Sequence, residues 1–190
     1  MIKSSLNNTI LIELEKETEN SITLSNGTEL WLDTELERLW HARQYGIVKY
    51  TSPNINKRID DGVELKKGDK VYIHHLVIDN VIEIDGKKLY RADIEQIYAY
   101  KRNGKIKMLM DYIFVEPVKD EELVSESGVI MKTQSKEITN QGIVRYINKF
   151  TEDFNVGDKI MFQKNSNYKM KIDDKELYRM KNSNAEAILG

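Results

Sequence analysis

The chain carries the same text twice. Gly46-Ile47-Val48-Lys49-Tyr50 returns as Gly142-Ile143-Val144-Arg145-Tyr146. Lys67-Gly68-Asp69-Lys70-Val71-Tyr72-Ile73 returns as Val156-Gly157-Asp158-Lys159-Ile160-Met161-Phe162. Ile84-Asp85-Gly86-Lys87-Lys88-Leu89-Tyr90-Arg91 returns as Ile172-Asp173-Asp174-Lys175-Glu176-Leu177-Tyr178-Arg179. The order is kept and only the connectors change length. Self-similarity on this scale means two copies of one domain. It divides the 190 residues into a first domain at 1–100, a linker at 101–105 and a second domain at 106–190. Each copy is small, so its core is marginal alone and support from neighbouring domains or subunits is expected.

Both copies read as all-β, as small barrels. Ile10-Leu11-Ile12 and Tyr112-Ile113-Phe114-Val115 are short apolar runs at corresponding places. The Gly-Ile-Val segments follow, and then a Gly-Asp turn feeds Lys70-Val71-Tyr72-Ile73 and Lys159-Ile160-Met161-Phe162. Such β-branched and aromatic runs, bounded by Gly, Asn and Asp, fit strands better than helices. Asp85-Gly86 is a strong hairpin signal, and Asp173-Asp174 holds the same place in the second copy. The linker Lys101-Arg102-Asn103-Gly104-Lys105 is polar and turn-prone, too short to let the copies drift apart. An enlarged connector at 17–45 sets the first copy apart. Within it, Leu36, Leu39 and Trp40 behind Asp33-Thr34 have the spacing of a short amphipathic helix.

Composition removes several classes of function. Lys and Arg total 29 against 31 Asp and Glu, a net charge of −2, without the basic excess of a nucleic-acid binder. No cysteine is present, which excludes disulfides, thiolate zinc sites and a cysteine nucleophile. The histidines are His41, His74 and His75. The adjacent pair, read as lying on a strand, would face opposite sides and share no metal. No Ser-His-Asp set or phosphate-cradling loop is legible, and Asp60-Asp61-Gly62 and Asp173-Asp174 are explained as turns. The expectation is a protein that is not an enzyme and has neither cofactor nor metal. No apolar stretch approaches the ~20 residues of a membrane span, and the opening residues lack a signal-like core. A cytoplasmic protein with no membrane or nucleic-acid partner is therefore expected.

One stretch of the second copy narrows the reading. From Gly128 it runs Gly-Val-Ile-Met-Lys-Thr-Gln-Ser-Lys-Glu-Ile-Thr-Asn-Gln-Gly-Ile-Val, an apolar tripeptide, a polar stretch, and a glycine opening a strand. This resembles the mobile loop of the chaperonin-10 family, the GroES-type co-chaperonins. The turn and strand at 156–162, the closing run 171–180 and the opening stretch 106–115 also resemble that family's segments, in the same order. The resemblance spans nearly all of residues 106–189, and the repeat carries it onto 1–100. It departs from the family between the Gly-Ile-Val strand and the Gly-Asp turn, where the second copy keeps only residues 148–155 and lacks room for a roof hairpin.

The resemblance implies two tandem GroES-like small β-barrels and a co-chaperonin that caps a GroEL-type chaperonin in ATP-dependent folding, the ATP being used by the partner. It implies a mobile loop at about 125–141 whose Val129, Ile130 and Met131 bind the chaperonin. The counterpart in the first copy is Leu30, Trp31 and Leu32, chosen over Ile22-Thr23-Leu24. A homo-oligomer is implied as well, since in the family the last strand of one subunit pairs with the first strand of the next. The lack of a transit-like start points to a bacterial or bacteriophage source, with the host cytoplasm as location in the latter case. The alternative is a structural module of a larger assembly, such as a phage particle, which needs the repeat but not the loops. An alcohol-dehydrogenase reading of the same fold lacks its cysteine ligands and its dinucleotide fingerprint.

Overall fold

The computed structural model describes residues 3–5, 7–18, 21–24, 26–31, 42–55, 64–119 and 137–190. The chain forms two compact units, Met1–Met110 and Asp111–Gly190. In the first are β1 (Thr9–Glu13), β2 (Ser21–Thr23), β3 (Glu29–Trp31), β4 (Tyr45–Thr51) and β5 (Lys70–Ile73). These are followed by β6 (Val81–Ile84), β7 (Lys87–Asp93), β8 (Ile97–Arg102) and β9 (Lys105–Met108). The second holds β10 (Tyr112–Lys119), β11 (Glu137–Tyr146), β12 (Lys159–Phe162), β13 (Tyr168–Ile172), β14 (Lys175–Lys181) and β15 (Ala185–Leu189).

The two main sheets have the same plan. The first runs β6-β7-β1-β4-β5-β8-β9 and the second β13-β14-β10-β11-β12-β15, with every pairing antiparallel. Irregularities repeat too. The register slips between Leu11 and Ile12 in β1 and between Phe114 and Val115 in β10, at corresponding positions. It slips again between Tyr72 and Ile73 and between Met161 and Phe162. The Gly-Asp turns are tied down identically. Val48 N donates to Asp69 O and Gly68 N to Val48 O, as Val144 N does to Asp158 O and Gly157 N to Val144 O, all at 2.9 Å. A bulge inserts one residue and increases local twist, so matching bulges bend both sheets alike.

Alternation along these strands builds two separate cores. Ile10, Ile12, Val48, Val71, Ile73 and Tyr90 are buried in the first, and Ile113, Val115, Val144, Ile160, Phe162 and Tyr178 take their places in the second. The expected hairpin turns form. Asp85 and Gly86 both have positive φ (52° and 72°), as a tight type I′ turn requires, and Asn103 and Gly104 (51° and 76°) turn β8 into β9. Residues 101–105 thus run through a hairpin whose second strand extends the first unit's sheet.

The barrels expected from the sequence are corrected by the strand pairing. Among the described residues neither sheet closes: the first ends at β6 and β9, the second at β13 and β15. Each core is covered instead by side chains from connectors. Ile55, Leu65, Val77 and Leu109 complete the first, and Phe154 the second. A barrel needs its outermost strands tilted into mutual hydrogen-bonding reach. Here apolar plugs close the interior without that last ladder. In-out alternation is the same for both solutions, so it could not distinguish them.

Gly46 and Gly142 stand at corresponding positions and both allow close strand approach. A Cβ on Gly142 would strike Val115 Cγ1 and lie 2.8 Å from the Glu116 carbonyl oxygen; on Gly46 it would lie 2.7 Å from Leu14 Cδ2 and 3.0 Å from Glu13 O. Backbone cannot yield as a flexible side chain does. Gly142→Ala should therefore destabilise the second unit by about 1–3 kcal/mol, the usual cost of overpacking, read as a lower denaturation midpoint at unchanged slope.

Candidate functional site

Each unit carries a long connector between its first and second long strands. In the second unit it leaves β10 at Lys119 and returns at Glu137, and these two residues face each other in the β10–β11 ladder. The Glu137 carboxylate is held from two sides. Tyr178 Oη donates to Oε2 at 2.6 Å, and Lys169 Nζ donates to Oε1 at 2.9 Å. Tyr178 and Lys169 are direct partners across β13 and β14, so one cross-strand pair supplies both donors. Lys169 and Tyr178 hold the Glu137 carboxyl below the ordinary carboxylate range. Burial, and then the Glu137 carboxylate, push the Tyr178 phenol above its ordinary value.

The first unit builds a comparable neck from different residues. Tyr90, the repeat counterpart of Tyr178, donates through Oη to Glu17 Oε1 at 2.7 Å, with Lys88 Nζ at 3.4 Å. Arg43 N donates to Glu17 O at 2.9 Å, and Thr18 bridges to Ala42. Arg43 is buried, and its guanidinium reaches Glu15 Oε2 at 2.8 Å. That hydrogen bond holds the Glu15 carboxyl below its ordinary range. Here the carboxylate comes from the outgoing root of the connector; in the second unit it comes from the returning one.

Beyond the first neck β2 and β3 pair as a hairpin, with Ser21 opposite Trp31, Ile22 opposite Leu30 and Thr23 opposite Glu29. Its turn is closed by Leu24 N to Thr28 O at 2.8 Å and by Gly27 with φ 83°. The hairpin shows apolar surface: Leu24 is 39% exposed, Leu30 48% and Trp31 76%.

A third feature lies at the edge of the second sheet. Tyr100 on β8 and Ile188 on β15 are repeat counterparts, opposite Val71 and Ile160 respectively. Tyr100 is 4% exposed and packs in a cluster with Leu109, whereas Ile188 is 56% exposed. The difference is β9, which covers the β8 edge; β15 is an edge strand of its own sheet. A groove lined by Phe154, Ala185 and Ile188 together with the acidic Asp111, Asp153 and Glu186 runs beside it.

Comparison with known proteins supplies what geometry alone does not. Residues 105–189 match the family described as the chaperonin 10 Kd subunit. Over 73 residues the chain is 32% identical to the Co-chaperonin GroES of Petrotoga mobilis, a stretch covering 37% of this chain and 81% of that relative. The chain belongs to the chaperonin-10 family. The matched segment begins at β9, so the lead-in of the second family domain is the strand that extends the first unit's sheet.

On this member of the chaperonin-10 family the residues expected to bind a partner fall into two groups. Leu30 and Trp31 are exposed on β3, and the competing segment 22–24 is the opposite arm and turn of the same hairpin. Leu32, Val129, Ile130 and Met131 lie outside the described residues, as does the helix expected behind Asp33-Thr34. Residues 137–141, expected at the end of the second loop, are strand. His74 and His75 are not on a strand. His74 caps the 3-10 turn His75–Asp79, its Nδ1 accepting from Leu76 N at 3.1 Å, and the two rings lie 4.1 Å apart. Among the described residues no group of three His, Cys, Asp or Glu could hold a metal, and no helix is long and apolar enough to cross a membrane.

Sequence reasoning missed the phenol–carboxylate necks. The repeated Leu-Tyr-Arg around Tyr90 and Tyr178 was their one signal, but their partners occupy opposite roots and show no repeat. A carboxyl whose folded pKa lies below its unfolded value near 4.5 stabilises the fold above that value. Stability from Glu137 is therefore full at neutral pH and lost as pH falls through the lower folded value. Wild type should exceed Glu137→Gln in denaturation midpoint at neutral pH, and the gap should close in acid below about pH 4.

Proposed function

We infer that the chain is a co-chaperonin of two chaperonin-10-type domains in tandem, 1–100 and 106–190 joined at 101–105. It caps a GroEL-type chaperonin through apolar tips on its two long loops and assists ATP-dependent folding. The observation that carries this reading is the 32% identity over 81% of a co-chaperonin. The partner turns over the ATP, and the chain itself needs no cofactor. The tips are Leu30, Trp31 and Leu32 in the first copy and Val129, Ile130 and Met131 in the second.

The energetics suit reversible capping. Burying one such apolar side chain contributes about 1.5–3 kcal/mol. Ordering a free segment costs about 1–2 kcal/mol per residue, so a single loop binds weakly. The β2–β3 hairpin lowers that cost for the first tip because its backbone is already paired. Useful affinity then comes from several tips presented together, and weakness of each permits release when the partner changes state.

Presenting several tips requires an oligomer, and the β15 edge is where copies join. Its groove corresponds to the place where Leu109 is fully buried in the first unit. The opening residues of a second copy, which hold in the repeat the place that β9 holds here, would pair with β15 as β9 pairs with β8. Ile188→Asp puts a charge on a position that is exposed in the single chain but would be buried in the assembly. The variant should fold and sediment as a single chain while wild type forms larger species; equal sedimentation of the two would overturn this joint.

Capture by a GroEL-type chaperonin tests the activity. Wild type should be retained only with ATP, and Ile130→Glu should abolish that retention because its carboxylate would be buried unpaired. Trp31→Glu reports separately on the first tip. Retention of Ile130→Glu at the wild-type level would remove the second tip from the mechanism.

A further inference from the structure

The phenol–carboxylate pairs do more than stabilise their sheets. We propose that Tyr178 with Glu137, and Tyr90 with Glu17, are clasps that hold the neck of each chaperonin-binding loop shut, so that Tyr178 and Tyr90 are positioning residues for capture. This rests on the co-chaperonin reading above and adds to it a device at the loop roots.

Glu137 faces Lys119 across the β10–β11 ladder at the mouth of the segment 120–136. Its two carboxylate oxygens are bound by Tyr178 on β14 and Lys169 on β13, strands on the far side of β10 from β11. The contact therefore reaches from the returning root, past the outgoing root, to the rest of the sheet. It resists the fraying to which the end of a hairpin ladder is otherwise prone. A phenol donating to a carboxylate at 2.6 Å is a strong, charge-assisted bond.

Tyr90 reaches Glu17 at 2.7 Å, although Glu17 lies on the outgoing root and Glu137 on the returning one. The common element is not an inherited carboxylate position but a carboxylate delivered to one phenol at each neck. In the first unit the Thr18–Ala42 bridge and the Arg43 N to Glu17 O bond close the backbone at that level. Both connectors thus leave their sheets through a mouth pinned to the same tyrosine position.

A closed mouth matters for a weak tip. Every residue released at the neck must be ordered again on binding, and it widens the volume the tip explores. Losing one or two residues of pairing weakens capture on the order of tenfold, and the loss compounds over the loops of an assembly.

Tyr178→Phe removes the hydroxyl and keeps the ring in the core. Hydrogen exchange at residues 118–119 and 137–138 should quicken in this variant while the core strands stay protected, with or without any chaperonin. ATP-dependent capture should fall about tenfold at a temperature where the variant, though lowered in thermal midpoint, remains fully folded. Lys119→Cys and Glu137→Cys added to Tyr178→Phe supply a covalent neck, since directly opposed antiparallel residues are within disulfide reach and the chain has no other cysteine. Oxidation should restore both protection and capture, and reduction should remove them. Unchanged exchange at the neck in Tyr178→Phe overturns the clasp whatever the capture assay shows. So does a capture loss that oxidation leaves in place. If wild type itself is never captured, the co-chaperonin reading fails instead, and the exchange result still decides whether the clasp exists.

Discussion

An antiparallel sheet that stops leaves a row of backbone donors and acceptors unpaired and its last inward side chains uncovered, and much of this molecule answers that constraint. In the first unit the problem is solved in cis. The chain turns at Asn103-Gly104 and lays β9 along β8, and Leu109 then drops into the core beside Tyr100. The strand that does this belongs, by its match to the family, to the start of the next repeat. The same design at β15 leaves Ile188 more than half exposed. The two copies of one fold therefore differ at this edge: β9 covers β8, whereas β15 ends its sheet.

Strand approach and loop anchorage depend on one another. Gly46 and Gly142 let the first and second long strands come close, and those strands carry the connectors outward. In the second unit Pro117 faces Gly142, and the register shifts between Pro117 and Lys119, where a missing backbone donor is tolerated. Just beyond that irregularity Glu137 is fastened to Tyr178 and Lys169. A ladder disturbed by a proline needs a side-chain anchor if its end is to remain shut, and the charge-assisted contacts supply one.

Much of the strand plan was legible in the residues. The Asp-Gly turn at 85–86, the Gly-Asp turns at 68–69 and 157–158, and the paired apolar runs fell where the hydrogen bonds place them, because turn chemistry and alternation are local properties. Closure was misread, since a strand on an open sheet capped by Ile55, Leu65 and Val77 alternates like one in a barrel. The histidine pair was misread for a related reason: His74 takes a capping role at a 3-10 turn that no periodicity announces. Leu30 and Trp31 lie on one arm of a hairpin whose other arm and turn hold residues 22–24, a pairing across the turn that apolar triplets read singly do not announce.

By itself the sequence determined that a domain is repeated, that it is made of strands, and that its chemistry excludes thiols and disulfides. Each of these is carried by residue identity and short-range order. Tertiary structure alone decided that the sheets remain open, that β9 completes a sheet belonging to the preceding repeat, and that Glu17 and Glu137 meet equivalent tyrosines from opposite roots. Those outcomes depend on which distant backbone edges and side chains come within hydrogen-bonding reach, a distance in space that spacing along the chain does not encode.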